Sequence, residues 1–277
     1  MLPSWRDRLI LAIYPDRICW LRVGRGMVAS VAAHGTVSCA AEPDSPWQNA
    51  IKLLPEVLKS ANAAGTSVTV VLSNRLVRYV VTSNPDAARN QEELDLLTRH
   101  AFERVHGEAS KTWMIRLSEA APGKQALASA IDQRLVDALH GAIVAAGAKI
   151  VSLQPYLMAA FNHFKRTLPR RDGVLVLAEP QRLCHLAWKD GGWCAVQQMN
   201  SGEDWAGALP GMLDRLAMTA GLQDMQILQL CAPELPDAAM VDRPWQVKHH
   251  RPTWLKGLSP HQDKAYAGAL LALSWTP

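Results

Sequence analysis

No stretch of this sequence holds the roughly 18 to 20 consecutive apolar residues that a membrane-spanning helix needs. The longest apolar runs, Leu9 to Tyr14 and Ala267 to Trp275, are far shorter. The opening Met1-Leu2-Pro3-Ser4-Trp5-Arg6-Asp7-Arg8 does not read as a secretory signal, because Pro15 cuts off the apolar run behind it. The cysteines (Cys19, Cys39, Cys184, Cys194, Cys231) are five, scattered and without a CxxC pair. That excludes a disulfide framework and reads as a reduced, cytoplasmic protein. Charge of one sign is also lacking: 29 Lys and Arg against 25 Asp and Glu leave a net +4, no footprint of a nucleic-acid binder. What the 277 residues do have is 49% hydrophobic content, enough to build a large core in about two domains.

An internal repeat organises the chain. Tyr14-Pro15-Asp16-Arg17-Ile18-Cys19-Trp20-Leu21 aligns with Glu179-Pro180-Gln181-Arg182-Leu183-Cys184-His185-Leu186, at an offset of 179 − 14 = 165. Each copy follows a short apolar run, Leu9 to Ile13 or Val174 to Ala178, and leads to a glycine turn, Gly24-Arg25-Gly26 or Asp190-Gly191-Gly192. Strand-like runs follow, Met27 to Ala32 and Trp193 to Gln198, so each half begins as a three-stranded meander. A helix comes next in both. The first has Ser45-Pro46 at its start, Trp47, Ile51, Leu54, Leu58 and Ala61 on one face, and Gly65 at its end. The second runs Trp205, Leu209, Met212, Leu213, Leu216, Ala220 and ends at Gly221. Pro55 and Pro210 predict a kink or late start in each. The strands Ser67 to Leu72 and Met225 to Leu230 complete two ribonuclease-H-like units.

Between them lies a β-α-β-β-α-β run: a strand from Arg75 to Thr82, a helix capped by Asn84-Pro85 with Leu94, Leu97, Ala101 and Val105 inward, a hairpin (Thr112 to Leu117, Gln125 to Ile131) around Ala120 to Lys124, a helix with Leu135, Leu139, Ile143 and Ala146 ending at Gly147, and a strand from Lys149 to Leu153. Gln154-Pro155 opens a helix with Leu157, Phe161, Phe164 and Leu168, and Arg170-Arg171-Asp172-Gly173 reads as a hinge. A basic, Pro-punctuated tail, Trp245 to Ser259, precedes a last helix from Pro260 to Leu273, whose Ala265, Gly268, Ala269 and Ala272 suit close packing. The expected division is a first lobe over 1–72, an inserted sub-domain over 73–153 whose end merges into that lobe, a helix and hinge over 154–172, and a second lobe over 173–277.

This architecture resembles the actin-like superfamily. The stretch Val71 to Val80, the acidic helix Glu92-Glu93-Leu94 to Phe102, Leu139 to Pro155 and the closing Ala265 to Leu273 are similar to the PilM and GspL cytoplasmic-domain family of type IV pilus and type II secretion platforms. The resemblance implies an α/β actin-like fold of two duplicated lobes with the small sub-domain inserted in the first. It also implies a cytoplasmic place peripheral to the inner membrane, without membrane insertion. The implied partners are the cytoplasmic peptide of a single-span inner-membrane protein and an assembly ATPase.

Actin-like ATPases place an Asp-x-Gly signature on each of two phosphate loops, where glycine lets backbone N–H groups reach phosphate oxygens. Here those loops are Tyr14-Pro15-Asp16-Arg17 and Glu179-Pro180-Gln181-Arg182, with proline where a donor is wanted. The Gly-Gly pair expected after Ile227 to Leu230 reads Cys231-Ala232-Pro233. The loops are therefore vestigial, and neither cofactor, metal nor catalysis is expected. The rival reading is a sugar- or acetate-kinase-like phosphotransferase with divergent loops.

Other signals are weaker. Gly24-Arg25-Gly26-Met27-Val28-Ala29 has dinucleotide-loop spacing but reads as a turn. Cys184, His185 and Cys194 share a hairpin, yet alternation sends His185 to the face opposite Cys184, and buried thiols explain the cysteines. Neither His249, His250 and His261 nor His100 and His106 have metal-ligand spacing. Arg75 and Arg78, with Leu76 and Val77 between, read either as edge charges that block aggregation or as the rim of a groove receiving an extended peptide. Ten tryptophans against three phenylalanines is unusual. Trp20, Trp47, Trp188 and Trp205 fall on core faces, whereas Trp245 and Trp254 are the interface candidates.

Overall fold

The computed structural model describes residues 7–24, 29–42, 45–82, 90–118, 123–202, 204–222, 227–235 and 245–274. Along the chain run β1 (Arg8–Ile13), β2 (Arg17–Val23), β3 (Val31–Ser38), α1 (Gln48–Ser60) and β4 (Ser67–Leu72). Then come β5 (Val77–Val81), α2 (Gln91–His106), β6 (Trp113–Leu117), β7 (Leu127–Asp132), α3 (Gln133–Ala145), β8 (Lys149–Pro155) and α4 (Tyr156–Phe164). The rest is β9 (Gly173–Glu179), β10 (Gln181–Lys189), β11 (Gly192–Gly202), α5 (Trp205–Ala220), β12 (Ile227–Cys231), β13 (Gln246–His249) and α6 (Ala267–Leu271).

Two five-stranded sheets share one topology, β3-β2-β1-β4-β8 and β11-β10-β9-β12-β13. In each, the meander is antiparallel and the last two strands run parallel to the first. The repeat holds residue for residue: Ile13 faces Ile18 in one hairpin, and Ala178 faces Leu183 in the other, 165 residues on. Strands β1 and β9 are apolar and buried along nearly their whole length, as strands covered on both faces must be. The third sheet is β5-β7-β6.

Contacts divide the chain into two compact units. One comprises Met1–Leu76, Gln133–His163 and Pro252–Pro277, the other Val77–Asp132 and Phe164–Arg251. The three-stranded sheet thus groups with the second half of the chain, and β8 joins the first sheet beside β4. The described helices include none long and apolar enough to cross a membrane.

Several boundaries differ from the expectations. The first helix starts at Gln48 with Trp47 as N-cap and no side-chain cap; Ser45 contributes its carbonyl, which accepts the Gln48 N–H at 3.1 Å. It ends at Ser60, and Asn62 (φ 49°) takes the left-handed position expected of Gly65. The Ala63 N–H then donates back to the Leu58 carbonyl at 3.0 Å, the six-to-one bond of such an ending. Both helices run on through Pro55 and Pro210. Gly147 and Gly221 close α3 and α5 at φ 72° and 63°, as expected.

Helix α2 is turned relative to its expected stripe. Thr98 and Phe102 are buried, while Leu97 and Val105 are 39% and 64% exposed. Phe102 meets Trp113 edge-on, ring centroids 6.2 Å apart, and packs on Ala128 and Ala130. Fully burying Phe is worth about 1.5–3 kcal/mol, so its docking sets the rotation. Thr98 can follow because its hydroxyl donates to the Leu94 carbonyl at 2.7 Å. The helix begins at Asn90, whose Oδ1 accepts the Glu93 N–H; Asn84 and Pro85 lie outside the described residues, as do Arg25 to Val28 of the glycine turn.

The helix expected from Gln154-Pro155 starts at Tyr156, because Pro155 still pairs with Leu72 in the sheet. The Asn74 side chain accepts the Leu157 N–H at its first turn, 3.1 Å away. Gln246–His249 of the supposed tail is a strand, parallel to β12, and Trp245 packs against the second unit's core. The last helix shrinks to Ala267–Leu271 between 3-10 turns, and every residue of it is buried.

Candidate functional site

In the first unit β1 turns into β2 through Tyr14-Pro15-Asp16-Arg17. The Tyr14 N–H donates to the Arg17 carbonyl at 2.9 Å, leaving Pro15 and Asp16 as central residues. The Asp16 carboxylate is taken by its neighbour, Arg17 Nη1, at 3.2 Å. That guanidinium also lies 3.9 Å from the centroid of the Tyr14 ring. Cys39 closes the corner from the end of β3: its N–H donates to the Asp16 carbonyl at 2.8 Å and its thiol to the Pro15 carbonyl at 3.5 Å. Burial, and then the Asp16 charge, push the Cys39 thiol up.

Behind this corner the space is filled with protein. Tyr14 and Tyr156 are 2% and 1% exposed. A Cβ on Gly268 of α6 would fall on the Tyr14 hydroxyl and come within 2.9 Å of Tyr156 Cε2. A magnesium nucleotide would need backbone donors on its phosphates and a carboxylate free for the metal or its water. Pro15 has no N–H, the Tyr14 N–H closes the turn, and Asp16 is paired with Arg17. This donor set does not fit that group.

In the second unit Glu179 and Arg182 face each other across Pro180-Gln181, with Gln181 at φ 63°, the left-handed second position of a type II turn. Glu179 is 1% exposed. Arg182 Nη1 donates to Asn200 Oδ1 at 2.7 Å and Nη2 to Gln198 Oε1 at 3.5 Å, both on β11. Cys184 and Cys231 flank Leu177 across three strands, two residues before Glu179. Burial pushes both thiols far up, reinforced at Cys184 by the Glu179 charge and at Cys231 by Glu234 and then Glu179. Such thiols stay protonated and serve neither as ligands nor as nucleophiles. His185 is also buried, and burial followed by Arg215 lowers its pKa to about 4. After β12 the chain makes a turn in which the Leu235 N–H donates to the Ala232 carbonyl at 3.3 Å. Among the described residues no three His, Cys, Asp or Glu side chains converge as metal ligands.

The stretch singled out for partner contact is divided by the fold. Arg75 lies in a turn, its N–H donating to Ser73 Oγ at 3.2 Å, and the Leu76 N–H donates to the Ser73 carbonyl. Leu76 and Val77 are buried, so the apolar pair anchors the turn and lines no open surface. Arg78 on β5 is half-buried; its Nη1 donates to the Val77 carbonyl at 3.1 Å. Burial lowers its pKa, and its charge contributes, after burial, to lowering that of His106. Strand β11 runs alongside the edge of β5 that β7 leaves unpaired. Sequence reasoning passed over Asn74, Tyr156 and Cys39. Only Asn74, in the turn pair Ser73-Asn74, carried a local signal.

No family model and no curated protein sequence matches the chain. Solved structures do. The cytoplasmic domain of EpsL, an inner-membrane component of the type II secretion system of Vibrio cholerae, aligns with a TM-score of 0.59 at 17% identity, over 97% of this chain and 94% of that one. A chain of the PilM-PilN type IV pilus biogenesis complex aligns with a TM-score of 0.56 at 15% identity, over 81% of each. A Bacteroides thetaiotaomicron protein with an actin-like ATPase fold aligns at 0.54 and 11% identity, over 84% of each. Duplicated sheets, matching hairpin corners and these likenesses together give the chain the actin-like fold.

Proposed function

We propose that this protein is a non-catalytic adaptor on the cytoplasmic side of a type II secretion or type IV pilus inner-membrane platform, where it binds the cytoplasmic tail of a single-span membrane protein. The observation that carries the reading is the first corner. Its proline, its paired Asp16 and the Tyr14–Gly268 packing replace phosphate-binding machinery with protein contacts. The same three features count against the phosphotransferase alternative. Likeness to a secretion-system domain and to a component of a pilus complex supports the platform setting. An assembly ATPase is the second partner in this reading.

We assign partner contact to Arg75 and to Arg78, each held by the buried residue beside it, Leu76 and Val77 respectively. The test is co-purification with the single-span protein encoded beside this gene. Arg75→Glu is expected to cut recovery roughly fivefold, the worth of an exposed ion pair of about 1 kcal/mol, with the melting temperature unchanged. Equal recovery would remove Arg75 from the interface, and equal recovery with Arg78→Glu would remove Arg78. No recovery of any bitopic partner by the unaltered protein would remove the adaptor reading.

A further inference from the structure

We infer that the groove between α2 and β6 is a second docking site, built to take an extended segment of a partner protein carrying two consecutive acidic residues. Among the described residues strand β6 is an edge of the three-stranded sheet, the edge opposite β5. The Ser118 N–H donates to the Leu127 carbonyl, so by antiparallel alternation Met114 and Arg116 bond to β7. The N–H groups of Ile115 and Leu117 therefore point away from the sheet. Helix α2 flanks that edge, and together they enclose about 280 Å³ lined by Gln91, Asp95, Thr98, Arg99 and residues 115–117. A helix beside an open strand edge is how many domains add an extended peptide as a further strand, with main-chain bonds for affinity and side-chain pockets for selectivity. The volume suits side chains of such a segment better than a separate small molecule, whose pockets run from about 300 to 1,000 Å³.

Charge names the occupant. Arg99 on the helix and Arg116 on the strand are exposed, and neither has an ion-pair partner among the described residues. Asp95, the carboxylate in the groove, already accepts the Gln91 side-chain amide at 2.9 Å. Ile115 and Leu117 face α2, where they pack towards Phe102, which puts Arg116 on the other face of the sheet. Successive residues of an added strand alternate between those faces. One carboxylate then meets Arg99 and the next meets Arg116.

The test uses two synthetic probes, acetyl-Val-Leu-Glu-Glu-Val-Leu-amide and its Lys-Lys counterpart, with amide hydrogen exchange and fluorescence anisotropy as readouts. The acidic peptide should protect the Ile115 and Leu117 amides and bind about tenfold tighter than the basic one. The Arg99→Glu, Arg116→Glu double variant, both changes being at exposed positions, should invert that preference with its melting temperature preserved. Three results would overturn the proposal: no protection at β6, protection without charge preference, or concentration-dependent protection in the protein alone, which would make a second copy the occupant. Capture of a membrane partner by the unaltered protein with β6 unprotected would leave the adaptor reading standing and remove only this groove.

Discussion

Lowering the pH from 7 to 4 should cost the second unit about 3 kcal/mol of stability through His185 alone. The imidazole is 1% exposed, and its Nδ1 is buried with no hydrogen-bond partner among the described residues. Burial, and then the charge of Arg215, lower its pKa from 6.5 to about 4. The unfolded chain takes up a proton as pH falls through 6.5 while the folded protein does not, so stability is full above 6.5 and declines steadily to about 4. His163 and His250, lowered chiefly by burial, act in the same direction. Urea unfolding of the protein and of His185→Leu across this window isolates the His185 contribution. The difference between them should change by about 3 kcal/mol, and parallel curves would show that the site admits water or a proton.

Gly268→Ala should destabilise the first unit by about 2 kcal/mol, in the range of added methylenes in close-packed cores. The new Cβ has nowhere to go: Tyr14 is held by its place in the turn and Tyr156 by its place at the start of α4. Tyr14→Phe removes the hydroxyl it would strike and should recover part of the loss, a coupling that a double-mutant cycle reads directly. If Gly268→Ala were neutral, α6 would not be packed on the corner, and the space behind Tyr14 would be open to a ligand.

Much of this fold was legible because duplication leaves two copies of one pattern. The meander, helix and strand of each half, the corners at Pro15 and Pro180, and the glycine endings of α3 and α5 follow from alternation, proline and left-handed backbone. What was not legible depends on partners distant in sequence. Phe102 chose the buried face of α2 because Trp113, Ala128 and Ala130 await it, and an aliphatic count over one helix does not contain that. Gln246–His249 carries a polar, strand-neutral sequence and pairs only because β12 offers its edge. The grouping of β5 to β7 with the second half of the chain is likewise a property of contacts, not of order. At the candidate site the missing glycines could be read directly. The seal formed by Cys39, Tyr156 and Gly268 could not, since those residues lie 23 to 252 positions from Asp16 (39 − 16 and 268 − 16).

The most direct test of the central claim, that protein contacts have replaced the nucleotide site, is a thermal and denaturant titration of the intact protein with millimolar ATP and Mg²⁺. The account predicts no shift and no phosphate release. A ligand at a hundred times its dissociation constant stabilises a fold by about 2.7 kcal/mol. A reproducible shift of that size, abolished by Asp16→Asn, would contradict the account and restore the phosphotransferase reading.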